Sequence, residues 1–156
     1  MIVLFTDFGA AGPYGGQMRA VLAREAPGVP VIELFNNAPA FNAKASAYLL
    51  AAYCGEFLPG TVFLCVVDPG VGGPRDAVAL EADGRWYVAP GNGLLALVAR
   101  RAAKARWWRI TWRPAKISAS FHGRDLFAPV AARLVRGESL PGEPDEGRQK
   151  IGGDWP

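Results

Sequence analysis

The stretch Thr61-Val62-Phe63-Leu64-Cys65-Val66-Val67-Asp68-Pro69-Gly70-Val71-Gly72-Gly73-Pro74-Arg75 decides the fold. From Thr61 to Val67 it is a continuous, Val-rich apolar run. Pro59-Gly60 precedes the run and Pro69-Gly70 follows it. Short length, β-branched residues and Gly/Pro fences predict a fully buried strand. The run ends on a carboxylate, and a Gly/Pro loop then carries Arg75. Open α/β sheets place ligands beyond the carboxyl ends of buried strands. The plain alternative is a tight turn with a surface ion pair.

Outward from this stretch, strands and helices alternate. Ile2 to Phe5 is an expected strand, followed by the Gly-rich loop Thr6-Asp7-Phe8-Gly9-Ala10-Ala11-Gly12-Pro13. Tyr14 to Ala26 is an expected helix with Met18, Val21 and Leu22 on one face, stopped by Pro27-Gly28. Pro30 to Phe35 is a second strand that exits through Asn36-Asn37-Ala38-Pro39. Asn42 can cap a helix from Ala43 to about Cys54. Beyond the central stretch, Ala77 to Glu81 and Trp86 to Ala89 read as a hairpin closed around Asp83-Gly84. A helix is expected from Leu94 to about Ala103, a strand from Trp107 to Trp112, and a helix from about Leu126 to Val135.

This order predicts an α/β domain of three α/β/α layers over a largely parallel central sheet, spanning residues 1–136. Residues 137–156, rich in Gly, Pro and charge, read as a linker or tail. Asp7, Asn36, Asp68 and Asn92 each follow a predicted strand, and His122 lies further beyond one. A parallel sheet would gather such exits along one edge, in one cleft.

Composition sets the bounds. The chain of 156 residues is 51% hydrophobic, enough for a core. A net charge of +3 demands neither a nucleic acid nor a membrane. No apolar stretch approaches the ~20 residues that span a bilayer. The N-terminus reads as a first strand rather than a signal peptide. Cys54 and Cys65 fall inside predicted elements and read as small hydrophobes of a reducing, cytoplasmic compartment. One His and two Cys make no conventional zinc site. Basic and aromatic residues interleave from Arg100 to Lys116, a pattern that can bind single strands. The weak net charge favours an amphipathic strand instead, so a nucleic-acid partner is not expected.

Four motifs then occur in register: Thr6-Asp7-Phe8-Gly9, Val67-Asp68-Pro69-Gly70-Val71-Gly72, Ala89-Pro90-Gly91-Asn92-Gly93-Leu94-Leu95 and Phe121-His122-Gly123-Arg124-Asp125. Together they resemble the N-terminal domain of the S-adenosylmethionine hydrolase (hydroxide adenosyltransferase) family, related to the fluorinating and chlorinating adenosyl enzymes. The resemblance implies hydrolysis of S-adenosylmethionine to adenosine and methionine, with no cofactor. It implies a catalytic triad of Asp68, Arg75 and His122, which the halogenating relatives lack. Substrate contacts are expected from Asp7, at the ribose hydroxyls, and from Phe8, Asn92 and Ser120.

The residue types suit that chemistry. Water is a poor nucleophile, and a positioned base could take its proton. His122 or Asp68 could serve, with His122 favoured and Arg75 orienting the carboxylate. The structural alternatives are a turn role for Asn92, a capping role for Asp7, and an Arg124–Asp125 pair or helix cap.

Gly12, Gly91 and Asn36 depart from the family pattern, which has Asp, Asp or Asn, and His there. The resemblance also implies a C-terminal β domain and a site between the subunits of a homotrimer. Here that domain is expected to be absent, leaving a truncated hydrolase with weak activity, one completed by self-association, or one completed by a separate β-domain chain. The alternative is a non-catalytic adenosyl-binding or assembly module.

Overall fold

The computed structural model describes residues 1–149. Its elements are β1 (Ile2–Thr6), α1 (Tyr14–Glu25), β2 (Val31–Phe35), α2 (Ala43–Tyr53), β3 (Val62–Val66), β4 (Ala77–Ala82), β5 (Arg85–Pro90), α3 (Ala96–Arg101), β6 (Ala105–Ile110), α4 (Ala128–Val135) and β7 (Gly142–Pro144). One sheet takes the order β2-β1-β3-β5-β4-β6-β7.

Side-chain alternation explains the layers. In β3, Val62, Leu64 and Val66 join one core with α1 and α4, while Phe63 and Cys65 join the other with α2 and α3. Both faces of β3 are buried along its length, which is why its sequence is continuously apolar. The α/β/α layering follows the expectation. The sheet, however, is mixed rather than largely parallel. The pairings β2–β1, β1–β3 and β3–β5 are parallel, whereas β5–β4, β4–β6 and β6–β7 are antiparallel. The physical reason is the Asp83-Gly84 turn. Both residues have positive φ, 48° and 80°, so β4 must fold back on β5.

Boundaries shift where polar groups find other partners. The strand expected from Trp107 to Trp112 is Ala105–Ile110, because the Thr111 and Trp112 N–H groups both turn to the Pro141 carbonyl. Helix α3 begins later than Leu94, whose N–H instead donates to Asn92 Oδ1. Asn42 caps α2 as expected, its Oδ1 accepting from Ala45 N–H at 2.9 Å.

The segment expected as a linker does not stand apart from the sheet. Gly142–Pro144 pairs with β6 as the edge strand β7. The rest of that expectation, residues 150–156, lies outside the described residues. The tryptophans of the basic stretch are packed, not displayed. Trp107 joins the α2/α3 core, and Trp108 lies against Trp86 with ring centroids 6.3 Å apart. Cys54 and Cys65 are free and buried, and burial pushes the Cys65 thiol well up. No helix among the described residues is long and apolar enough to cross a membrane.

The attachment of β7 has a steric requirement. A Cβ on Gly142 would lie 2.2 Å from the Arg109 carbonyl oxygen. Gly142→Ala is expected to cost about 1–3 kcal/mol, read as a lower urea midpoint with little change in m. An unchanged midpoint would mean that β7 lies outside the cooperative unit.

Candidate active site

The loops after β1 and β3 meet at a crevice between adjacent strands. From β1 the chain crosses to β2 on one side, and from β3 it continues to β4 and β5 on the other. This is the switch point at which an open sheet leaves space for a ligand. A cleft of about 250 Å³ occupies it, lined by Asp7, Phe8, Tyr14, Phe41, Val66, Asp68, Val71, Ser120, Phe121, His122 and Gly123.

Three distant residues converge here. Asp68 follows β3, Arg75 ends the Gly/Pro loop, and His122 opens a π-helical turn, Gly123–Phe127, that leads into α4. Arg75 Nε donates to Asp68 Oδ1 at 3.0 Å, and its Nη2 donates to Asp68 Oδ2. Arg75 Nη2 also lies 3.0 Å from His122 Nδ1. The side chains of Arg75 and Asp68 are only 10% and 5% exposed. The guanidinium also lies over the Phe127 ring, 5.3 Å from its centroid. The Gly/Pro loop is held against the loop before His122. Gly72, at φ 77°, sits where a Cβ would come within 2.4 Å of the Ala119 carbonyl oxygen.

The hydrogen bonding fixes the imidazole's state. A guanidinium only donates, so His122 Nδ1 must accept, and the ring proton sits on Nε2. Burial first, and then the Arg75 charge, hold His122 below its ordinary value of 6.5 against the opposing pull of Asp68. The neutral imidazole that Arg75 requires is therefore also the form its surroundings favour. The expectation of His122 as proton acceptor meets an obstacle. Its one lone pair faces Arg75, and its other nitrogen carries the proton.

Of the expected substrate contacts, Asp7, Phe8 and Ser120 line the cleft. Asp7 also caps a loop, with Oδ2 accepting from Phe41 N–H at 2.9 Å. Asn92 does not line it. Its Nδ2 donates to the Val67 carbonyl at 2.8 Å, and its Oδ1 accepts from Leu94, so it closes a turn against the end of β3. Arg124 and Asp125 pair at 2.7 Å, and Asp125 accepts from Ser118 N–H at 2.8 Å, bracing the His122 loop.

Sequence reasoning missed Tyr14, Phe41 and Phe121 as cleft residues. Phe121 meets the rings of Phe8 and Tyr14 edge-on, and those two rings are tilted at 40° to each other, with centroids 5.0–5.7 Å apart. Tyr14 carried a signal, since it opens a helix directly after the Gly-rich loop. Phe41 carried none. It is 77% exposed with φ 55°, a conformation that propensity does not assign to Phe. Among the described residues, no group of three or more His, Cys, Asp or Glu side chains could hold a metal.

The family model for the SAM hydroxide adenosyltransferase N-terminal domain matches residues 2–142. The chain belongs to this family. A curated relative from Salinispora tropica, named (R)-S-adenosyl-L-methionine hydrolase, is 44% identical over 140 residues, covering 86% of this chain and 53% of its own. One of the same name from Thermus thermophilus is 41% identical over 155 residues, covering 91% and 58%. The crystal structure of an uncharacterized conserved protein from Thermotoga maritima superposes with a TM-score of 0.89 at 37% identity. It covers 93% of this chain and 58% of that one. The chain thus spans about half the length of the curated relatives it matches.

The single histidine makes the site directly observable. Imidazole ¹⁵N spectra are expected to show the Nε2–H tautomer, titrating below 6.5. The unfolded chain takes up that proton first as pH falls. His122 therefore contributes its stability fully above 6.5, and that contribution is lost as pH falls through the folded midpoint. Unfolding of His122→Ala should depend less on pH between 7 and 5 than that of the parent. A titration at or above 6.5 would contradict the Arg75–His122 contact.

Proposed function

We propose that this chain carries the water-activating half of an S-adenosylmethionine hydrolase, forming adenosine and methionine. The observation that carries this reading is the enclosed Asp68–Arg75–His122 constellation, open to a cleft that Asp7 also lines. The hydrolase names of the relatives support it. Water oxygen attacks C5′ as the C5′–S bond breaks. The bonding pair goes to sulfur, leaving a neutral thioether. Opposite charge character disappears on the way to the transition state, so a site shielded from bulk water favours the reaction.

The roles follow from the hydrogen bonds. Each Asp68 oxygen that accepts from Arg75 keeps a second lone pair, which can accept from the attacking water. The carboxylate is thus the acceptor for the water's proton in this reading. His122 holds Arg75 through Nδ1 and orients water through Nε2–H. The packed rings of Phe8, Tyr14 and Phe121 offer apolar and π surface to the adenine and the sulfonium. Asp7 has two acceptor oxygens for the vicinal ribose hydroxyls.

Assembly as a homotrimer, with the second wall supplied by a C-terminal β domain, belongs to the same proposal. So does a cytoplasmic setting. The packed aromatic rings would equally serve one alternative, adenosyl binding without turnover.

The test is incubation of the purified chain with S-adenosylmethionine, following adenosine and methionine by chromatography. Asp68→Asn and His122→Ala are expected to lower kcat about 10²–10⁴-fold. The rate should fall as pH drops below 6.5 toward the lowered His122 midpoint, since a protonated Nδ1 cannot accept from Arg75. No product above the spontaneous background, together with measurable binding, would favour the binding module.

A further inference from the structure

Asp76 is the peptide neighbour of Arg75, and it is held from two directions. Its carbonyl accepts from Gly91 N–H at 2.8 Å, just beyond the Ala77–Pro90 pair that closes the β4–β5 ladder. Its carboxylate accepts from Arg148 Nη2. The same guanidinium donates through Nε to Asp145 Oδ2 at 2.7 Å. Asp145 is itself fixed, its N–H donating to the Trp107 carbonyl at 2.9 Å directly after β7. The chain beyond 137 thus returns along β6, and its Arg148 reaches the residue next to the buried arginine.

Gly91 makes this possible. A Cβ there would lie 2.9 Å from Arg148 Nη1, 3.1 Å from the Asp76 carbonyl oxygen and 3.2 Å from Val78 Cγ1. The absence of a side chain at 91 leaves the space in which Arg148 reaches Asp76.

The loop before Arg75, Pro69-Gly70-Val71-Gly72-Gly73-Pro74, has three glycines and is intrinsically permissive. Arg75 must nevertheless present Nε and Nη2 to one carboxylate and Nη2 to one ring nitrogen. A fork of fixed geometry tolerates little drift at its root. The stiff side of that root is Asp76.

We propose that Arg148 is a positioning residue for the Arg75 guanidinium. By clamping Asp76 it fixes the backbone from which Arg75 reaches Asp68 and His122, and Gly91 leaves room for the clamp. The consequence for turnover rests on the hydrolase reading, whereas the clamp itself can be read without turnover.

The experiment compares wild type, Arg148→Ala, Arg148→Lys and Gly91→Ala in the full chain, by ¹⁵N titration of the single imidazole, S-adenosylmethionine turnover and thermal unfolding. His122 is faced by Arg75, Asp68, Arg113 and Asp125. Loosening Arg75 withdraws a charge that lowers the His122 midpoint and leaves Asp68 to raise it. Arg148→Ala and Gly91→Ala are therefore expected to move the titration upward and to lower kcat/KM roughly two- to fivefold, the scale of a partly exposed ion pair. Arg148→Lys, which keeps one charge on Asp76, should lie between wild type and Arg148→Ala. A lower unfolding temperature in Arg148→Ala with a wild-type His122 titration would overturn the proposal, since the clamp would then only stabilise the edge. A wild-type chain without turnover would defeat the reading of this chain as active by itself, and the titration would still decide the clamp.

Discussion

Arg75 is a permanently charged group enclosed by protein, and a buried charge is stable only when paired and fully hydrogen-bonded. Its donors go to both oxygens of Asp68 and to one nitrogen of His122, and its face lies over Phe127. Satisfying that one guanidinium ties together the exit of β3, the Gly/Pro loop and the turn entering α4. It also dictates chemistry, because a ring nitrogen that accepts from Arg75 must belong to a neutral imidazole. The electrostatics of the pocket and the hydrogen-bond geometry agree on that state.

The scaffold supplies what the guanidinium cannot. Parallel pairing of β1, β2, β3 and β5 brings strand ends to one edge, so Asp7 and Asp68 become neighbours although far apart in sequence. The antiparallel remainder extends the sheet away from the cleft and carries the chain back through β6 and β7. That return brings Arg148 and Asp145 to Asp76. The Asp125 carboxylate, bound by Arg124 and Ser118 N–H, performs the matching task for the loop that delivers His122.

Much of the fold was legible because its signals are local. The apolar run of β3 could only be a strand buried on both faces, and Asp83-Gly84 could only be a two-residue turn. Asn42 capped the helix that its side chain suits. Polar residues at strand exits marked Asp7 and Asp68 before any topology was known. Asn92 carried the same mark but lies outside the cleft lining, its carboxamide closing a turn, the structural alternative its position also allowed. Phe41 and the clamp at Asp76 gave no sequence signal, since each depends on contacts between segments dozens of residues apart.

The sequence by itself determined the layers, the order of elements and the residue types of the site, because hydrophobic periodicity and turn chemistry act over a few residues. Only the tertiary structure decided that the antiparallel part runs on from the β4–β5 hairpin through β6 to the edge strand β7. It alone decided that Arg75 faces both Asp68 and His122, and that His122 offers an N–H rather than a lone pair. These outcomes depend on which strands become neighbours and on how a buried charge is satisfied. Both are set by long-range packing that no local pattern encodes.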